Sequence, residues 1–285
     1  MTIIIGIVVV LGCVIGGFMM EGGNVHILFQ PAELVILGGA AVGSLIVSLP
    51  MKSLMYVLKN SSRLFTAKEH SKAVYLELLT MLFQLFSKVK KEGLISLEAD
   101  VENPEKSPLF NKFPHFAKNR TALTFVCDNF KVVIASALPA HELENLMDIE
   151  IEANHEESLV PAHSINRVGD ALPGFGIVAA VLGVVLAMGK IDQPPAVLGH
   201  AVGAALVGTF LGILMSYGFV APMAANLEHL SNGDTTFLKV IKVALVACID
   251  GAAPQMAVEF GRRAIPASER HTFSELEQTV KSGKK

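Results

Sequence analysis

What most constrains this chain is where its charges are absent. Four apolar stretches, residues 2–20, 33–51, 171–190 and 196–224, carry almost no ionisable side chain apart from residues at their ends and His200. At a rise of about 1.5 Å per residue, each is long enough as a helix to cross about 30 Å of hydrocarbon. Of the 23 Lys and Arg, 22 lie in two segments, 52–170 and 225–285, and Lys190 is the exception. Basic residues close to span ends set orientation toward the cytoplasm. The near ones are Lys52, Lys59 and Arg63 after the second span, Arg167 before the third, and Lys239 and Lys242 after the fourth. The pattern predicts a multi-pass inner-membrane protein, with both termini and nearly all extramembrane mass in the cytoplasm.

An all-α chain is expected, with four transmembrane helices and a helical cytoplasmic domain. Residues 1–51 read as a transmembrane hairpin (spans one and two) and 52–170 as the cytoplasmic domain. Residues 171–224 read as a second hairpin (spans three and four) and 225–285 as C-terminal helices and tail. Val74, Leu78, Leu82, Leu85 and Val89 recur at three- and four-residue steps and predict an amphipathic helix over 73–89, stopped near Gly93. Further helices are expected over 122–136, 141–154, 237–249 and 257–263, with Pro254 between the last two and a frayed tail ending in Ser282-Gly283-Lys284-Lys285. A hydrophobic content of 52% suits a membrane protein with one sizeable soluble part, and a net charge of −3 gives no support for nucleic-acid binding. Cys13, Cys127 and Cys248 have neither metal-ligand nor redox spacing and read as buried thiols. The N-terminus lacks a basic region and a small-residue cleavage site, so an uncleaved first span is expected.

Small residues recur every four positions within the spans: Gly12 and Gly16, Gly39 and Gly43, and Ala204, Gly208 and Gly212. Such stripes let helix backbones approach closely. They serve either packing among these four helices or a face that meets further copies or another membrane protein. The stretches offer no carboxylate at membrane depth, only Thr209, Ser216, Tyr217, Ser44 and Ser48, with Pro173 and Pro222 near the cytoplasmic ends of spans three and four. A titrating group for ion movement would then have to come from a partner. His200, near an external end, reads as structural or interfacial. The two prolines are ordinary helix punctuation or, paired at one depth, a hinge that frees backbone carbonyls.

Several longer strings are specific. Gly16-Gly17-Phe18-Met19-Met20-Glu21-Gly22-Gly23, Gln30-Pro31-Ala32-Glu33-Leu34-Val35-Ile36, and Val168-Gly169-Asp170-Ala171-Leu172-Pro173-Gly174-Phe175-Gly176 resemble the MotA family of flagellar motor stators. Val207-Gly208-Thr209-Phe210-Leu211-Gly212 with Tyr217, Gly218 and Pro222 resembles its fourth span, and Ser96-Leu97-Glu98 and Ala257-Val258-Glu259-Phe260-Gly261-Arg262 extend the likeness along the chain. The resemblance implies a ring of five copies, embedded in lipid, around the membrane helices of a MotB dimer. MotB supplies the ion-binding aspartate and a peptidoglycan anchor. Protons are the implied coupling ion, with no cofactor and no metal. Pro173 and Pro222 fall on the family's two functional prolines, Thr209 and Tyr217 near its ion path, and Ala180 where sodium-driven relatives tend to carry threonine. Lys90 and Glu98 fall on the pair that engages the rotor protein FliG, with Glu150 a further rotor candidate. The family commonly has arginine at the first position, and lysine keeps the charge but loses the planar fork. Lys88 and Lys91 lie alongside and could share that role.

The alternatives are an ExbB/TolQ-type motor that energises outer-membrane processes, a self-contained four-helix channel, and a membrane enzyme using His70, His141 or His155. The large 52–170 segment favours the stator. No nucleophile–base or metal constellation is legible, so the chain does not read as an enzyme.

Overall fold

The computed structural model describes residues 2–67, 69–136 and 138–282. Among these residues there is no strand, and fourteen α-helices carry the fold. In chain order they are α1 (Thr2–Met20), α2 (Val25–Leu28), α3 (Pro31–Ser48), α4 (Met51–Ser61), α5 (Arg63–Thr66), α6 (Lys72–Glu92), α7 (Glu98–Glu102), α8 (Pro114–Lys118), α9 (Arg120–Ser136), α10 (Ala140–Met188), α11 (Pro195–Met215), α12 (Ala221–Ile249), α13 (Pro254–Ala264) and α14 (Phe273–Ser282). Four helical segments are long and apolar enough to cross a membrane: Ile3–Met20, Val25–Ser48, and the apolar parts of Ala140–Met188 and Pro195–Ile249. The chain divides into two compact units. The first comprises Met1–Ala67 with Ser158–His229, the second Lys68–Glu157 with Leu230–Lys285.

In the first unit α1 is among the most apolar segments of the chain, yet none of it is buried in the single chain. Only a small apolar cluster forms, Leu37 and Ala41 on α3 against Leu172 on α10. Close contact comes instead from glycine. A Cβ on Gly176 would stand 2.9 Å from the Gly208 carbonyl oxygen, and one on Gly212 would stand 2.7 Å from the Leu172 carbonyl oxygen. The fourth-span stripe is therefore used within this chain. Gly12, Gly16, Gly39 and Gly43 have open space where a Cβ would go. Cys13 is exposed on α1, contrary to the buried thiol expected from sequence, because a span needs no protein around its apolar side chains.

The second unit has a dense core. Phe86, Phe110, Phe116, Phe125, Phe130 and Phe237 are essentially fully buried, with Leu78, Leu82 and Leu85 of the predicted stripe of α6 and Leu79 beside it. Gly261 lets α13 seat on α12 and α6, since a Cβ there would meet the Ala244 methyl at 3.0 Å and Leu79 at 3.3 Å. Burial pushes the Cys127 thiol up to about 12, which keeps it an inert core residue. His70, one of the histidines weighed for catalysis, stacks on Phe237 at 4.3 Å and pairs with Asp234 at 2.9 Å.

Two expected element boundaries needed correction. The helix expected over 141–154 and the third span are one helix, α10, which holds Pro161 and Pro173 in its interior. The terminal segment is not frayed as far as Ser282: α14 packs on α6 and buries Leu276 and Val280, while residues 283–285 lie outside the described residues. An amphipathic helix, α4, follows the second span directly, burying Leu54 and Val57.

Candidate functional site

The first candidate site lies where α10 and the chain after α11 meet. Gly169 stands one turn before Pro173, and a Cβ on it would touch Val220 at 3.4 Å and the Ala221 nitrogen at 3.5 Å. Pro222 follows Ala221 immediately, so the turns holding the two prolines are packed neighbours. Proline cannot donate to the carbonyl four residues before it, and its ring crowds that carbonyl. Before Pro222 the backbone responds by widening into a π-helical turn, Ser216–Val220, in which the Ala221 N–H donates to the Ser216 carbonyl. Such widened turns are rare and concentrate at functional positions. The sequence announced the proline but not the π turn.

Side chains around this turn differ in how they are satisfied. Thr209 Oγ1 donates to the Gly176 carbonyl at 3.4 Å, tying α11 to α10. Ala180 is half-buried on α10, one turn beyond Gly176, and its neighbour Ala179 meets Gly208. Tyr217 is 68% exposed on the single chain, whereas Ser216 is buried and its hydroxyl has no hydrogen-bond partner. Ser44 and Ser48 donate back to the Ala41 and Leu45 carbonyls and are spent locally.

The second candidate site is a charged face of the other unit. Lys90 is exposed on the last turn of α6, which Gly93 ends at φ +82°, a backbone angle that favours glycine. A 3₁₀ turn, Leu94–Leu97, then leads into α7, where Glu98 is exposed on the first turn. Lys90 and Glu98 therefore sit on two elements, separated by Gly93 and the 3₁₀ turn. Lys88, two residues before Lys90, has a fixed partner. Its Nζ pairs with Asp100 at 2.7 Å, and Asp100 accepts from the Ser107 hydroxyl at 2.6 Å. Lys90, Lys91 and Lys112 line, together with Lys88, a cleft of about 810 Å³ that also borders Pro254. Glu150 is half-buried and accepts from Asn129 Nδ2 at 3.0 Å, so it braces α9 against α10.

Known proteins match this arrangement along its whole length. The family model for the motility protein A N-terminal region matches residues 4–93, and that of the MotA/TolQ/ExbB proton channel family matches residues 119–240. Motility protein A of Escherichia coli (strain K12) is 45% identical over 284 residues, covering 100% of this chain and 96% of that protein. The chain belongs to the motility protein A family. Chemotaxis protein LafT of Vibrio parahaemolyticus is 34% identical and covers 96% of each chain. The fold is also that of two solved structures. The C. jejuni MotAB structure has a TM-score of 0.78 at 20% identity, covering 93% of this chain and 96% of the other. The Bacillus subtilis MotAB stator complex has a TM-score of 0.71 at 23% identity, covering 94% and 96%.

Within this family fold, one further residue departs from the sequence reading. The spans were expected to hold no carboxylate. Glu33 lies inside the second spanning segment and is buried, its carboxyl packed against Gly208 of α11. It was passed over because it stands at the sequence edge of an apolar run, and depth in a bundle is not readable from that edge.

Proposed function

We propose that this chain is a stator subunit of the bacterial flagellar motor, in which inward proton flow becomes torque on the rotor. The observation that carries the reading is the end-to-end 45% identity to a motility protein A. On this reading a MotB-type subunit completes the ion path and anchors the complex to peptidoglycan, and copies of this chain ring it, five in number. The unfilled glycine stripes on α1 and α3 support further helix contacts of this kind. Both termini and the second unit face the cytoplasm, as the distribution of Lys and Arg supports.

The energy source is adequate. One unit charge crossing 100 mV yields about 2.3 kcal/mol, roughly four times the thermal energy. That biases a step between two packings when protonation changes what the spans prefer to touch. Pro173, Pro222 and the π turn form the element that yields, since its backbone carbonyls already lack the usual partners. Thr209 and Tyr217 border the ion path. Ala180 presents a methyl where a sodium site would need another oxygen, so protons are the coupling ion. Lys90 and Glu98 form the torque face for a charged surface of FliG. Glu150 takes part only through the α9–α10 brace.

A test separates flow from torque. Lys90→Glu combined with Glu98→Lys reverses both charges, and it should stop swimming while assembly and proton influx stay normal. Either single neutralisation should cost only about 0.2–1 kcal/mol of contact and merely slow swimming. Normal swimming by the double reversal would move the torque face elsewhere, with Lys91 and Lys112 the next residues to reverse.

A further inference from the structure

Glu33 is the third residue of α3, yet its carboxyl reaches the interior of two other spans. A Cβ on Gly208 would lie 2.6 Å from Glu33 Oε2 and 3.0 Å from the Ala179 methyl. Gly208 stands thirteen residues past Pro195, the first residue of α11. At about 1.5 Å per residue, that places it about 20 Å along the helix. The side chain is 8% exposed, and Oε2 has no hydrogen-bond partner. Only glycine at 208 leaves room for the carboxyl.

The carboxyl also lines a cleft of about 630 Å³ between α3, α10 and α11. Gln30, Lys190 and His200 line it too, at the end of the bundle where α10 turns into α11. Lys190 and His200 are the titratable groups that share the cleft with Glu33, and Gly208, against which the carboxyl lies, and Ala179 beside it carry none. Ionised here, Glu33 would be a buried charge whose Oε2 has no hydrogen-bond partner, an arrangement that structural roles avoid and ion paths use. Protonated, it needs only an acceptor for one hydrogen, and water in the cleft serves.

We propose that Glu33 is a proton-binding site supplied by this chain, at the inlet of the ion path on the side where α10 and α11 connect. A hydronium in the cleft gives its proton to Oε2 and leaves as water; release toward the next acceptor restores the carboxylate. The proposal rests on the proton-conducting reading above and places one of the path's titrating groups in this chain as well as in its partner.

The experiment uses the full chain co-expressed with its MotB-type partner in a host without stators. Two quantities are read: proton influx against external pH, and modification of Glu33 by dicyclohexylcarbodiimide, which attacks buried protonated carboxyls, located by peptide mass spectrometry. Glu33 should be modified, and more so as external pH falls. Glu33→Gln, which keeps the shape and loses the proton, should lower influx by about tenfold or more and flatten its dependence on external pH. Glu33→Asp should keep a titrating profile with a displaced midpoint. An unmodified Glu33 at every external pH, or unchanged influx and profile in Glu33→Gln, overturns the proposal. If Glu33→Gln fails to assemble, modification of the unsubstituted chain and the Glu33→Asp profile decide. Acid-dependent modification in a complex that conducts nothing would sink the conduction reading and leave the proton site standing.

Discussion

The two compact units bury apolar surface by opposite means. The second unit encloses six phenylalanines that are essentially fully buried and hides most of the apolar stripe of α6. The first leaves Ile4, Val8, Val35, Val47 and Leu186 more than half exposed on the single chain and joins its helices through Gly176, Gly208 and Gly212. In water the driving force is removal of apolar surface, at about 25 cal/mol per Å². Among lipid tails that force is absent between helices, and close backbone contact takes its place. Large side chains therefore make the centre in one unit, and missing side chains make it in the other.

The largest effect expected from this contrast is in the second unit. Phe130→Ala removes a ring that is 0% exposed and should destabilise that unit by about 3–5 kcal/mol, through lost transfer energy and the cavity left behind. Thermal unfolding of the detergent-solubilised complex, followed by proteolysis within 68–157, measures it. A loss below about 1 kcal/mol would show that this core is not as densely packed as described.

Next is the buried ion pair that closes α13. Glu259 accepts from Arg262 Nε at 2.7 Å and from Arg263 Nε at 3.0 Å, with the Glu259 and Arg262 side chains largely out of water. Glu259→Gln strands the Arg262 guanidinium and should cost about 3 kcal/mol. The Arg262 hydrogen bond holds the Glu259 carboxyl below the usual carboxylate range. Its contribution to stability is thus full at neutral pH and is lost as pH falls below that range toward the depressed folded value. The unsubstituted chain should lose stability on acidification over that window, and the variant should lose less. Parallel acid curves for the two proteins would remove Glu259 from the account.

The smallest effect is the sharpest test of the comparison. Gly212→Ala puts a methyl 2.7 Å from a backbone oxygen that cannot move alone, so α10 and α11 must separate, at about 1–3 kcal/mol. Gly39→Ala meets nothing within 4 Å and should leave the single chain unchanged. If Gly39→Ala nevertheless weakens assembly, measured by crosslinking and mass photometry, the α3 stripe is a contact between copies. Equal, negligible effects at both positions would show that glycine contact does not hold the first unit.

The absence of charge over four long runs was enough to specify four membrane-spanning segments, and the three- and four-residue repeat in 73–89 specified α6 and its buried face. These signals were legible because length and periodicity act locally along one helix. The ends of elements were harder to read. A helix over 141–154 and a span from 171 were expected as separate elements, yet α10 runs unbroken through Pro161 and Pro173, because neighbouring turns and packing absorb the missing donors. Lys88 and Lys90 look alike in the string. Only the approach of α7 gives Lys88 a fixed partner in Asp100 and leaves Lys90 exposed.

By itself, the sequence determined the class of solvent around each segment, the helical content and the family to which the chain belongs, since all three depend on local composition or on long matching strings. Tertiary structure alone decided which glycines are filled, which lysine is free and how deep Glu33 sits. Those depend on the distance between residues far apart in the chain, such as Glu33 and Gly208, and no local periodicity encodes that distance.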